Sequence, residues 1–142
     1  MPLPSTRVIG PRWSEHHRPA ATGSQTAVVR ITRTATDGTT GGDGTWTPPA
    51  RTTVYDGTAR ISPHTSEQRF VIVGDRRTVI RECIVAIEWD AAEVLIEDLV
   101  EVVEAVDPRL PGVVLRVEDV QGGSEQWERI LVATEVLAAE RQ

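Results

Sequence analysis

The stretch GVVLRVEDVQGGSEQWERILVATEV, residues Gly112–Val136, decides the fold class of this 142-residue chain. In its first half Leu115 and Val117 alternate with charged residues, and a Gly-Gly-Ser turn follows. Apolar residues then alternate again at Ile130 and Val132. Two alternating runs joined by a turn predict a β-hairpin.

The same signature recurs upstream. In residues 26–34, Val29 and Ile31 lie on one face of a predicted strand. The alternation resumes in residues 52–62, TTVYDGTARIS. Gly57, in the middle of this second strand, indicates a bulge or a close backbone approach. Residues 67–90 read as a hairpin around the turn Gly74–Arg77. Hairpin-linked strands without long intervening helices predict an all-β fold, a small antiparallel β-barrel or sandwich of five to seven strands.

The second run of the 67–90 hairpin has two unlike faces. One face carries Cys83, Val85, Ile87 and Trp89, and the other mixes isoleucine with glutamate: Ile80, Glu82, Ile84, Ala86 and Glu88. A face that is neither apolar nor polar fits a subunit interface, and an ordinary half-covered sheet fits it equally well.

Residues 91–107, AAEVLIEDLVEVVEAVD, leave two structures open. Glutamates at 93, 97, 101 and 104 have the spacing of an amphipathic helix. Four valines within eight residues, 99–106, favour a strand instead.

The chain divides into an N-terminal arm, residues 1–23, a β-barrel domain, residues 24–136, and a C-terminal tail, residues 137–142. The arm is rich in proline and small polar residues, so we expect it to be ordered only under a partner. A long flexible loop, residues 34–49, contains two Asp-Gly pairs and a Gly-Gly pair. Loops of this length are usually functional or disordered.

Composition excludes several classes of function. The net charge is −6 and all fifteen basic residues are arginine, so the chain lacks the basic stripe that tracks a nucleic-acid backbone. No apolar run has the length of a membrane span and no signal-peptide pattern is present, which predicts a soluble protein made in the cytoplasm. The single cysteine, Cys83, lies in an apolar run and is expected to be a buried structural thiol.

No residue pattern predicts catalysis, a cofactor or a metal. Phosphate-loop and nucleophile-elbow motifs are missing, and the Asp-Gly pairs lack the spacing of a calcium loop. His16, His17 and His64 are interpreted as surface side chains. Trp89 and Trp127 lie in strand patterns and are expected in the core, whereas Trp46 lies in the flexible loop and either packs on the protein's own surface or contacts a partner.

The order of these segments resembles the small head-completion proteins of long-tailed actinobacteriophages, also called head-to-tail connector, stopper or neck proteins. The resemblance runs from about Ala27 to Glu135 and rests on two groups of residues: Tyr55-Asp56-Gly57 with Ala59-Arg60-Ile61, and Asp107-Pro108 with Leu110, Gly112 and Val117. Two departures stand out. This chain has Glu97-Asp98 where the family tends to have Gly-Asp. The N-terminal helix that is usual in the family is represented here only by the proline-containing arm.

The resemblance implies a structural virion protein with no enzymatic activity, located at the head-tail junction. Such subunits form a homo-oligomeric ring that contacts the portal or adaptor on the head side and the tail terminator or tail tube on the other. The ring closes the DNA channel, retains the genome without sequence-specific binding and opens for ejection. A different minor tail or tail-terminator protein is the alternative, and it predicts a helix over residues 91–106.

Within that setting, two sets of site residues are predicted. The long loop would face the channel or a neighbouring subunit, with glycines that allow it to change conformation and aspartates that repel DNA phosphates: Asp37, Gly38, Gly41, Gly42, Asp43, Gly44 and Trp46. The subunit interface would pair arginines with glutamates and with a face that carries isoleucine: Arg30, Arg33, Arg60, Ile80, Ile84, Glu97 and Glu101.

Overall fold

A computed structural model describes residues 12–35, 38–64, 69–123 and 126–136. These residues form one helix, α1 (Trp13–Gly23), and ten strands: β1 (Ala27–Thr34), β2 (Thr39–Thr40), β3 (Trp46–Thr47), β4 (Arg51–Pro63), β5 (Arg69–Val73), β6 (Arg76–Ile80), β7 (Glu82–Glu88), β8 (Leu99–Glu104), β9 (Val114–Gln121) and β10 (Glu128–Glu135). The predicted C-terminal tail, residues 137–142, lies outside the described part.

Six strands close into an antiparallel barrel in the order β1-β4-β7-β10-β9-β8. Closure depends on β1, which pairs with β4 along one edge and with β8 along the other; Ile31 faces Tyr55 in the first pairing and Val100 in the second. A closed barrel leaves no exposed edge strand that could pair with other chains. The all-β prediction is therefore confirmed, and its barrel form is the one found.

The barrel interior is filled by the inward residues of each strand. Val29 and Ile31 are fully buried, as the alternation in β1 predicts, and so are Val85 and Ile87 in β7. Cys83 is buried in the same cluster, which confirms its expected place. Full burial of each such aliphatic side chain stabilises the fold by about 1.5–3 kcal/mol, so this interior is the main source of stability.

The tryptophans predicted to lie in the core lie outside the barrel. Trp89 is 41% exposed, because β7 ends at Glu88 and Trp89 begins the turn beyond it. Trp127 precedes β10 and is half-buried against the helix. Both predictions were wrong because the strand pattern was extended beyond the true ends of the strands.

The N-terminal segment is also more ordered than predicted. Residues 13–23 form α1 even though Pro19 lies inside the helix, where it removes one backbone hydrogen bond. Contacts with the barrel offset this cost: Trp13 packs on Trp127, and the Arg18 guanidinium lies 3.7 Å from the centre of the Trp89 ring. The helix therefore depends on tertiary contacts that the sequence of the arm does not reveal.

The segment with helical glutamate spacing contains a strand. Residues 99–104 form β8, with Val100 and Val102 in the barrel interior, and residues 91–98 form an irregular connection before it. Glu97 in this connection has a positive φ of 75°. The choice left open between helix and strand is thus settled in favour of the strand.

Two short ribbons leave the barrel at opposite ends of β4. The β2–β3 ribbon joins the end of β1 to the start of β4, and the β5–β6 ribbon joins the end of β4 to the start of β7. Since β4 has 13 residues, its two ends are roughly 40 Å apart at the usual rise of an extended strand. Each end of the barrel therefore carries its own protrusion.

The 67–90 hairpin differs from its prediction in one respect. The turn at Gly74 exists, but the second run breaks at Arg81, so Ile80 ends the β5–β6 ribbon and Ile84 belongs to the barrel strand β7. The two isoleucines do not share a face of one strand. Among the described residues no helix is long and apolar enough to cross a membrane.

Candidate functional site

The predicted flexible loop contains a hairpin of its own. Thr39 pairs with Thr47 and Thr40 with Trp46, and the Gly41 amide donates to the Thr45 carbonyl at 2.8 Å. Gly44 has a φ of +81°, which favours glycine at this turn. Residues 38–47 of the predicted flexible loop therefore form a ribbon held by local hydrogen bonds, and its flexibility stays a prediction.

Asp43 stabilises the tip of this ribbon. Its Oδ1 accepts a hydrogen bond from the Thr45 amide at 3.0 Å, and this bond lowers the pKa of Asp43. The carboxylate is exposed, as is the neighbouring Gly42. Asp37, the other aspartate of the predicted loop site, lies outside the described residues.

Trp46 packs on its own ribbon, which is one of the two alternatives left open for it. Its ring lies against Gly38, where an added Cβ would come within 2.9 Å of the ring atoms, so Gly38 leaves the space that the indole occupies. The side chain nevertheless remains 62% exposed. A large aromatic held against its own ribbon with most of its surface exposed has the character of an interface anchor.

The three arginines predicted to contact a neighbouring subunit all have partners within the chain. Arg60 Nη2 lies 2.7 Å from Glu128 Oε2, and Arg30 Nε lies 3.3 Å from Asp56 Oδ2. Arg33 donates to both carboxylate oxygens of Asp98, at 2.9 and 2.8 Å. Their guanidinium groups hold the barrel surface together, and their role at an interface stays a prediction.

Asp98 is a buried carboxylate that sequence reasoning missed. It is 3% exposed, and besides Arg33 it accepts a hydrogen bond from the Leu95 amide at 2.8 Å. This bidentate pair raises the pKa of Arg33. Asp98 therefore fixes the irregular 91–98 connection against β1, which is a structural role.

The remaining residues of the predicted interface are spread over different parts of the surface. Glu97 lies 3.5 Å from Arg116 on the exposed connection, and Glu101 is exposed on β8 opposite Arg30. Ile84 is half-buried on the outer face of β7, next to Val132 of β10. The structure brings Glu101 and Arg30 together and leaves Ile80 and Ile84 in separate sheets.

The two groups of residues on which the resemblance rests stabilise the local backbone conformation. The Tyr55 hydroxyl donates to the Thr58 carbonyl at 2.6 Å, and its ring occupies the space beside Gly57, where an added Cβ would lie 2.9 Å from Tyr55 Oη. The close approach expected at Gly57 is thus to a side chain, and the irregularity in the pairing falls instead opposite Ile31 and Thr32. Tyr55-Asp56-Gly57 is in this way a packing unit.

Asp107 and Arg109 form the second such unit. The Asp107 carboxylate accepts hydrogen bonds from the backbone and the side chain of Arg109, and the guanidinium lowers the pKa of Asp107 to about 2. Gly112 has a φ of +85° and donates to the Val102 carbonyl at 2.8 Å. The loop leading into β9 is therefore fixed by its own residues.

An aromatic cluster beside α1 was not predicted. The His17 ring stacks on Trp127 at 5.1 Å between centroids, and Trp13 contacts both rings. A cleft of about 570 Å³ lies between the helix and the barrel, lined partly by Arg60 and Ile130. His17 lies at the surface, partly exposed, and its stacking was not predicted because the partner ring is distant in sequence.

The described residues hold no group of three or more histidine, cysteine or carboxylate side chains that could bind a metal ion. His64 lies 3.7 Å from Glu82, and Cys83 is buried with its pKa raised by desolvation. The geometry thus presents ribbons, exposed apolar anchors and charged strips, which are features of association surfaces.

Fold and surfaces together define a small closed β-barrel protein with a protruding ribbon at each end. A family of unknown function, DUF6093, matches residues 17–134, and the chain belongs to this family. No curated protein and no solved structure matches the chain.

Proposed function

We propose that this chain is a structural virion protein of the phage neck, a head-to-tail connector or stopper that assembles as a ring. The observation that carries the proposal is the pair of ribbons at opposite ends of β4. One ribbon exposes Trp46, and the other exposes Ile72 and Val79. A subunit of such a ring needs anchoring surfaces for its neighbours in the virion, and this barrel has one at each end.

The proposed partners follow from this arrangement. Copies of the chain form the ring, the portal or adaptor contacts one end and the tail terminator or tail tube contacts the other. DNA passes through the ring without sequence-specific binding. A net charge of −6 suits a surface along which DNA slides without adhering, because like charges repel.

The structure of residues 91–106 favours this proposal over the alternative. A tail terminator or other minor tail protein was expected to have a helix there, and this region contains β8 and an irregular connection.

The β2–β3 ribbon is the proposed moving element. Its hydrogen bonds are few, and its glycines let the turn change conformation at low cost. In the closed ring it would cross the channel or cover the neighbouring subunit, with Trp46 as its anchor. Asp43 at its tip would reduce adhesion to DNA once the channel opens.

Replacing residues 39–47 with Asn-Gly tests this role. The Ala35 amide donates to the Ala50 carbonyl at 2.9 Å below the ribbon, so β1 and β4 should stay paired and the barrel should fold. We expect heads that leak DNA or fail to join tails. The matched control replaces Thr39 and Thr47 with valine and keeps the ribbon. Normal infectious particles from the shortened chain would contradict the proposed role.

A further inference from the structure

The β5–β6 ribbon presents one apolar face with a positive charge at its centre. Ile72 pairs with Arg77, and these residues share a face with Val79, two positions further along β6. Ile72 is 77% exposed and Val79 is 41% exposed, and Arg77 is exposed between them. A two-stranded ribbon is marginally stable alone, so a covered apolar face would stabilise it.

A strip with the complementary pattern lies along the last part of β8. Glu101 and Glu104 are exposed acidic residues, and Val103 and Val106 beside them are 41% and 84% exposed. No ion pair among the described residues involves Glu101 or Glu104. We call residues 101–106 the acidic strip.

The ribbon and the acidic strip lie on opposite flanks of the barrel and at the same end. The ribbon leaves the barrel between the end of β4 and the start of β7, and β8 lies across the strand order from these two. In an antiparallel barrel of this order, the end of β8 lies at the same rim as the end of β4. A heterologous contact that closes a ring requires two different patches on opposite flanks at one level.

We propose that the β5–β6 ribbon of one subunit docks on the acidic strip of the next. Ile72 and Val79 pack against Val103 and Val106, and the Arg77 guanidinium lies between the carboxylates of Glu101 and Glu104. Arg30, opposite Glu101, is bonded to Asp56, so the patch keeps an excess of negative charge. The inference rests on the proposed ring and names the two surfaces that form it.

Cysteine cross-linking tests the contact. Full-length I72C and V103C are mixed at about 1 mM, where even weak association is populated, and then oxidised. The buried Cys83 is present in all variants and serves as a common background. We expect a disulfide-linked heterodimer of I72C with V103C in greater yield than of I72C with L95C, since Leu95 is similarly exposed but lies outside the strip.

A second pair of cysteine variants covers the case in which the first two thiols cannot reach disulfide geometry. V79C with V106C should also cross-link above the L95C control, and circular dichroism checks that each variant folds. Yields equal to the control for both pairs would overturn the contact.

Charge reversal tests the proposed contact independently. R77E and E104R should each weaken association about tenfold, and a mixture of the two should recover it, because the reversed charges attract across the interface. D119R, which reverses an exposed carboxylate outside the strip, is the control and should leave association unchanged. Failure of both tests would leave the proposed neck location standing, because that location is measured separately in particles.

Discussion

At the scale of single residues, Glu97 holds an unfavourable backbone conformation. Its φ of 75° lies in the left-handed region, which costs about 1–2 kcal/mol for a residue with a side chain and far less for glycine. The ion pair with Arg116, at 3.5 Å and with Glu97 72% exposed, returns at most about 1 kcal/mol. The free-energy cost of the positive φ at Glu97 is therefore larger than the stabilisation from its ion pair.

We predict that Glu97→Gly raises the free energy of unfolding by about 0.5–1 kcal/mol. The gain arises because glycine relieves the strain, and urea denaturation measures it. Glu97→Ala is the matched control, since it loses the same ion pair and keeps the strain. A glycine variant no more stable than the alanine variant would show that the positive φ costs little. The Gly-Asp expected from the resemblance fits this position, because glycine adopts the conformation that Glu97 holds.

Cys83 provides a prediction about reactivity. Burial is the main cause that raises the pKa of its thiol, and the nearby Glu135 carboxylate adds to it. We expect a thiol reagent to label the native protein very slowly at pH 8 and to label it fully in denaturant. Rapid labelling of the native barrel would contradict its place in the interior.

The same shift predicts how stability changes with pH. Since the folded pKa lies above the unfolded value, the contribution to stability is fully present below the unfolded pKa and is lost as pH rises through the folded pKa. Stability should therefore fall as the pH rises above about 9. Cys83→Ala should lose this part of the alkaline decrease, which thermal unfolding at several pH values would measure.

At the scale of secondary-structure elements, α1 is held by aromatic contacts. Trp13 lies 4.5 Å from His17 and 4.8 Å from Trp127 between ring centroids. Removing the Trp13 ring should weaken docking of the helix by about 1–2 kcal/mol. The barrel should keep its stability, because its interior does not include these rings.

We therefore predict that Trp13→Ala increases hydrogen exchange of the α1 amides roughly tenfold without changing exchange in β7 and β10. Hydrogen exchange detected by mass spectrometry measures both regions in one experiment. Glu15→Gln is the control, because Glu15 is exposed on the same helix and makes only a 4.0 Å ion pair with Arg12. Unchanged protection of α1 in the Trp13 variant would rule out docking by the aromatic cluster.

These elements also show where sequence reasoning succeeds. Alternation predicted the strands around Val29 and Leu115 because one side of each strand faces the barrel interior. In β10 it predicted the strand but the wrong face, since Leu131 and Ala133, and not the predicted Ile130 and Val132, belong to the interior cluster. Helix α1 was missed because its stability comes from rings that are distant in sequence, and Pro19 argued against it. The pairing of β1 with β8 is likewise invisible in local pattern, since it joins residues about seventy positions apart.

The candidate site was also predicted only in part from the sequence. Packing of Trp46 on its own ribbon was one of two alternatives that the sequence left open. The ribbon itself was not predicted, because the hairpin depends on the Gly41 to Thr45 hydrogen bond. The intrachain partners of Arg33 and Arg60 lie 65 and 68 positions away, so charge pattern alone assigned these arginines to a neighbour. Local sequence thus locates anchors better than it locates their partners.

At the scale of the whole molecule, we propose that a closed barrel with an anchoring ribbon at each end joins the phage head to the tail. The barrel supplies rigidity through its closed hydrogen-bonding pattern, and the ribbons supply contact surfaces at two levels. In the proposed ring, the acidic overall charge would limit adhesion of DNA. Fold, surface and charge are consistent with one role.

Immunogold electron microscopy of phage particles from the source strain tests this proposal most directly. The antibody is raised against the purified barrel, and particles lacking the protein serve as the control. We expect gold at the head-tail junction. Gold along the tail, at its far end, or on no particle would contradict it.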